Sequence, residues 1–203
     1  MTRSTTTQIH LHSRFSLHAI AWALLVGWAI FAQNPQSSQP QIAPTKLSLR
    51  AEIVLSPEFC ATRRRQSPAF KDVLNVGKPT CAQLYAALVP VFSDLTRLER
   101  IPTAGDGTAQ ITLIPRFVDI NATQHPFRPS SRRKLVILLE WTVQDSMGHT
   151  VWLQTVQGSS EHKAGWMITT KGVTEMVDAA VSDLVQDSVA KISTAREVQR
   201  LSQ

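Results

Sequence analysis

Cysteine is scarce in this chain. Two occur in 203 residues, too few for a disulfide-dense scaffold or a four-cysteine zinc site. Charge is modest as well, at 18% against 43% hydrophobic residues, which excludes a wholly disordered chain. Long apolar runs are missing except for one, AIAWALLVGWAIFA from Ala19 to Ala32, so a protein with several membrane spans of about 20 residues each is excluded. Catalytic signatures are missing too. There is no GxSxG elbow, no set of paired carboxylates, no phosphate loop and no dinucleotide fingerprint. His125, His149 and His162 would have to converge from three separate loops to bind a metal. No catalytic residue, cofactor or metal is therefore assigned, and the balance favours a binding role.

What is present begins with the compartment. Residues 1–14 hold Arg3 and Arg14 and no acid, and the apolar run follows. A basic stretch before such a run is the pattern of a secretory signal, which directs the rest of the chain across a membrane. Residues 1–32 are expected to be a signal peptide or a membrane anchor. Ile30 at the −3 position of a cut after Ala32 is larger than that site prefers. If the segment is uncleaved, residues 15–32 make the membrane contact. No cysteine follows the run closely enough for lipid attachment. Residues 33–45, QNPQSSQPQIAPT, carry no charge, three prolines and four glutamines, a composition that reads as a linker. One α+β domain is expected over 46–203, long enough to bury a core.

Positive charge is concentrated before residue 135. Residues 33–134 hold 14 bases and 7 acids, and 135–203 hold 5 bases and 8 acids. Two clusters stand out, Arg63-Arg64-Arg65 and Arg132-Arg133-Lys134. Their Ser and Pro neighbours place both in loops, where they are either solvated charge or contacts for anionic lipid head groups or another polyanion. Nucleic acid is excluded as a partner by export and by the lack of interleaved aromatic and basic residues.

Periodicity sets the architecture. LSLRAEIVL over 47–55 alternates, with Leu47, Leu49, Ala51, Ile53 and Leu55 on one face, which predicts a half-buried strand. Residues 58–69 read as loop and 70–76 as a short strand or extended arm. Thr80 and Gln83 match a capping box ahead of Leu84, Leu88 and Val91, which predicts a helix to about Ser93. Residues 109–120 read as a strand, on an edge or bulged because of Pro115. A polar loop is expected over 121–134. The span 135–157 reads as a hairpin closed by Asp145-Ser146-Met147-Gly148, a type I turn with a left-handed Gly. The expected register sets Val143 opposite Val151 and Trp141 opposite Leu153. Val173, Met176, Val177, Ala180, Val181, Leu184, Val185, Val189 and Ile192 predict a long C-terminal helix whose broad stripe packs on a sheet. The fold class is α+β, an antiparallel or mixed sheet of about five strands with two helices on one face.

Two kinds of site emerge. Cys60 and Cys81, in an exported chain, are expected to form a disulfide; the other reading is a reactive Cys81 thiolate at a helix N-terminus. The expected hairpin register turns Trp152 to the face away from the helices. There it is either covered by a loop or part of an apolar binding patch, which Trp166 extends unless it plugs the core. Trp152, Trp166, Arg63, Arg64, Arg65, Arg132, Arg133 and Lys134 are therefore the candidate partner or ligand surface.

Four segments, LSLRAEIVLSPEF, FKDVLNVGKPTCAQLYAALVPVF, EWTVQDSMGHTVW and VTEMVDAAVSDLVQDSVAKI, follow in an order that resembles small bacterial periplasmic and outer-membrane-assembly lipoproteins, such as the lipopolysaccharide-assembly lipoprotein. The resemblance implies two helices on a sheet and an envelope location. It transfers no site residue, and the lipid-attachment cysteine of those proteins is not matched. The expected function is an exported, non-enzymatic envelope protein that binds a protein or lipid partner, in envelope biogenesis or transport. The alternatives are a periplasmic carrier of a small apolar ligand and a secreted hydrolase.

Overall fold

The computed structural model describes residues 46–67, 70–103, 105, 108–123, 132–163 and 170–203. The expected signal or anchor, the linker, His125 and Trp166 lie outside the described residues. The elements are β1 (Leu47–Val54), α1 (Pro57–Cys60), β2 (Arg63–Ser67), β3 (Phe70–Asn75), α2 (Gly77–Leu88), β4 (Phe92–Leu98), β5 (Ile111–Thr123), β6 (Arg132–Asp145), β7 (Thr150–Lys163), α3 (Thr170–Thr194) and α4 (Arg196–Arg200).

Five strands form one mixed sheet in the order β4-β1-β5-β6-β7, and β2 and β3 form a separate antiparallel pair. β1 runs parallel to both β4 and β5, whereas β5, β6 and β7 are successively antiparallel. Alternation in β1 buries Leu49, Ala51 and Ile53 in the same cluster as Leu84 and Leu88 of α2 and Met176, Val177, Ala180, Val181 and Leu184 of α3. The odd-numbered residues Leu135, Ile137, Leu139, Trp141 and Val143 of β6 join them. Every buried member of this cluster lies between Leu47 and Val198. The unit Ala43–Gln203 thus carries both cysteines and every core residue among those described.

The strand-rich region departs from the sequence expectation in five places. The stretch 58–69 is not simply loop. Ser56 caps α1 by accepting the Phe59 amide at 3.1 Å, and Arg63, Arg64 and Arg65 then pair with Asn75, Leu74 and Val73. No capping box forms at Thr80. α2 starts earlier, at Gly77, and the Thr80 hydroxyl donates back to the Val76 carbonyl at 2.8 Å. The helix stops at Leu88, before Pro90, and the freed chain becomes β4. Pro115 sits in an inner strand. The β1–β5 register ends at Leu113, so Pro115 lies where β5 has only β6 beside it and no second ladder needs its missing N–H. The Arg132-Arg133-Lys134 cluster is not in a loop but opens β6, with Arg133 opposite His162 and Lys134 opposite Glu161.

The hairpin turn forms as its residues dictate. The Asp145 amide donates to the His149 carbonyl, Gly148 donates to Asp145, and Gly148 has φ 81°. The Asp145 carboxylate accepts the Met147 and His149 amides, both at 2.9 Å, and these bonds, the His149 amide first, hold its pKa below the ordinary carboxylate value. One step beyond Gln144 and Thr150 a bulge leaves Val151 unpaired, so Val143 faces Trp152 and Trp141 faces Gln154. The expected register is corrected by one residue, and every later side chain of β7 changes face.

The bulge brings Gly158 to the helix side, opposite Ile137. A Cβ there would lie 2.2 Å from the Ala180 carbonyl oxygen and 2.5 Å from Leu184 Cβ, so glycine is what lets α3 seat directly on β7. Along that strand Asp183 accepts the Ser159 amide at 2.8 Å and Asp187 accepts the Gln157 amide at 3.1 Å. Lys191 bonds Asp187 at 2.9 Å and the Thr155 carbonyl at 3.3 Å. The outer margin of β7 is thereby satisfied by side chains of α3 rather than left free. Cys60 and Cys81 are joined, with Cα atoms 5.6 Å apart, which ties α1 to the first turn of α2.

Candidate interaction surface

Pairing fixes which residues share the sheet face turned away from the core. Ile114, Thr142 and Leu153 stand in one row across β5, β6 and β7. Arg116, Glu140 and Thr155 form the next row, followed by Asp119, Leu138 and Gln157, then Asn121, Val136 and Ser159. Directly paired residues share a face. Leu153 is 58% exposed, and Val118, the extra residue of the β5 bulge, is 49% exposed. Ile114, Val136 and Leu138 are half-buried. Across the middle, the Arg116 guanidinium donates from Nη2 and Nε to one Glu140 oxygen at 2.8 and 3.2 Å. The patch is therefore a band of aliphatic side chains crossed by one exposed ion pair.

Trp152 does not belong to this face. Opposite Val143, it is half-buried against the core on the helix side. The exposed apolar residue that β7 contributes is Leu153, which sequence periodicity assigned to the interior. Arg133 is likewise turned inward and only 5% exposed, on the same face as Leu135, while Lys134 is exposed. The two neighbours of the second basic cluster thus part company, as alternation in a strand requires. Of the first cluster, Arg63, Arg64 and Arg65 are all exposed on β2.

At the other end of the sheet the same face is closed. Glu52 and Val54 of β1 and Thr112 of β5 are buried. The connection from β4 to β5 has to cross β1, which lies between them, and its end is pinned where the Gln110 side chain accepts the Arg50 amide at 3.0 Å. Glu52 is 8% exposed, and among the described residues no hydrogen bond reaches its Oε2. A buried carboxyl oxygen left without a donor costs stability. Glu52→Met is expected to raise the unfolding free energy by about 1–3 kcal/mol, seen as a higher urea midpoint at unchanged slope. A lower midpoint would mean that the carboxyl has a stabilising partner.

Among the described residues, no group of three His, Cys, Asp or Glu side chains comes together around a metal-sized space, and no helix is long and apolar enough to cross a membrane. A hollow of about 450 Å³ beside the end of β4 is lined by Leu98, Glu99, Arg100 and Pro102. With one acid and one base among four lining residues, it does not offer an apolar ligand a dry site.

No protein-family model matches the chain, and no curated protein matches it in sequence. Among solved structures it is similar to a minor lipoprotein from Acinetobacter baumannii, at 13% identity and TM-score 0.46 over 74% of this chain and 95% of the other. It is similar to uncharacterized lipoprotein B from Nitrosomonas europaea at 9% identity and TM-score 0.41, covering 78% and 86% of the two chains. A hypothetical protein from Chlamydia trachomatis is similar at 10% identity and TM-score 0.43, covering 72% and 96%.

Proposed function

We propose that the protein is an exported, non-enzymatic component of the cell envelope that binds a protein or lipid partner through the outer face of β5–β7. The observation that carries this reading is Leu153, more than half exposed at the end of a band formed with Ile114, Val136 and Leu138. The apolar side chains of the helices are spent on the opposite face, and an aliphatic band on a sheet is a surface that a partner covers. Export is supported by the basic and apolar pattern of residues 1–32 and by the Cys60–Cys81 bond, which suits an oxidising compartment.

The test is cell fractionation of the native chain together with recovery of its partner. The chain is expected in the envelope fraction with both cysteines oxidised. Leu153→Asp is expected to reduce partner recovery about tenfold or more, the cost of placing a charge in an apolar contact, while the melting temperature stays unchanged because Leu153 is exposed. Recovery from the cytosol with reduced thiols overturns the export reading. Unchanged partner recovery overturns the assignment of this face, and turnover of ester, peptide or glycan substrates by the pure protein overturns the non-enzymatic one.

A further inference from the structure

We infer that the β2–β3 pair is a docking surface for an anionic phospholipid membrane, with Arg63 and Arg65 as its contacts. The inference rests on the export reading above but concerns a different surface. β2 puts three guanidiniums in consecutive positions, and all three residues are exposed. Arg63 and Arg65 share a face with Asn75 and Val73, their partners on β3. Residues two apart on a strand stand about 7 Å from each other, so the two head groups can meet neighbouring phosphates.

Val73 is 44% exposed beside Arg65, which gives the patch an apolar contact next to its charge. Arg64 pairs with Leu74, whose side chain is buried in the core, so the hairpin is held down from its inner side. The pair is further fixed at its base, where the Thr62 carbonyl accepts the Val76 and Gly77 amides. Lys78, exposed, follows directly. Among the described residues, no carboxylate forms an ion pair with Arg63, Arg64 or Arg65. Glu58 of α1 is the nearest acid in sequence, and its own backbone first and Ser56 second hold its pKa below the ordinary carboxylate value.

The chain outside the described residues favours a membrane over a soluble polyanion. The thirteen residues 33–45 span at most about 45 Å when extended. An apolar segment at 15–32 that stays in the bilayer keeps Lys46, the first described residue of the domain, within that reach and raises the local concentration of head groups around the domain.

The test uses the self-contained unit Ala43–Gln203, so that the apolar run makes no contribution, floated with phosphatidylcholine vesicles with or without phosphatidylglycerol. Binding is expected only with phosphatidylglycerol and is expected to fall as salt is raised. Each Arg near an anionic surface contributes about a fivefold gain in partition, so R63A/R65A is expected to lose about twenty-five-fold. K171A, which removes an exposed base of α3, is expected to change nothing. R63K/R65K keeps the charge and is expected to stay within about fivefold of the parent, which separates lost charge from lost folding. Equal flotation with both vesicles, no flotation with either, full binding by the double Ala variant, or binding of inorganic polyphosphate without vesicles each overturns the inference. None of these outcomes bears on where cell fractionation finds the chain.

Discussion

Trp141→Ala is expected to lower the unfolding free energy by about 3–5 kcal/mol, the largest loss from any single side chain here. Trp141 is fully buried at the centre of β6, and its indole N–H donates to the Ser188 hydroxyl at 3.1 Å. Ser188 in turn donates to the Leu184 carbonyl at 2.8 Å. The ring fills the space between sheet and α3, and the hydrogen bond settles the one polar atom that the ring carries inward. Truncation removes both and leaves a cavity. Ser188→Ala strands only the N–H and is expected to cost about 1–2 kcal/mol. Urea unfolding followed by far-ultraviolet circular dichroism measures both. A Trp141→Ala loss below about 1 kcal/mol would mean that α3 does not rest on this ring.

Replacing Cys60 and Cys81 together by Ala is expected to cost about 3 kcal/mol, from the loop of 21 residues that their bond closes in the unfolded chain. For a domain of this size that corresponds to a melting temperature lower by about 6–12 °C. Reduction of the parent protein is expected to give the same shift. The bond holds α1 and the start of β2 to α2, so amide exchange is expected to rise first around residues 56–67 while α3 stays protected. A variant that melts with the parent would show that the α1–α2 junction is held by Gly77 packing and the Thr62 bonds alone. At Gly77 an added Cβ would lie 2.5 Å from the Phe59 carbonyl oxygen, so this junction is close-packed as well as cross-linked.

Much of this architecture is legible from periodicity where a segment has one dry face. β1 alternates, α3 carries its apolar stripe over many turns, and Asp145 to Gly148 spell out their turn; all three form where expected. The disulfide follows from two cysteines in an export context. β4 is hidden because Phe92 and Leu95, its buried residues, are three apart and continue the helical spacing of Leu84 and Leu88. β2 is hidden because Arg-Arg-Arg-Gln-Ser has no apolar face, and its extended form comes from pairing with β3.

The candidate surface is less legible. Its identity turns on the bulge at Val151, and neither register leaves the hairpin without apolar pairs. What decides is tertiary: α3 needs the side-chain-free Gly158 beneath Ala180 and Leu184. That requirement sends Trp152 inward and Leu153 outward. Ser188 was also invisible as a partner for Trp141, since a serine next to an apolar stripe has no pattern of its own.

The two flanks of the main sheet are unequal. Asp183, Asp187 and Lys191 stopper the β7 flank, whereas on the β4 flank the described side-chain bond from outside the sheet is the Tyr85 hydroxyl on the Leu95 carbonyl. A body with one stoppered flank can recruit one neighbour through the other and then has nothing left to offer. Misassembly by strand addition should therefore halt at pairs, and fibril growth would first require α3 to peel away.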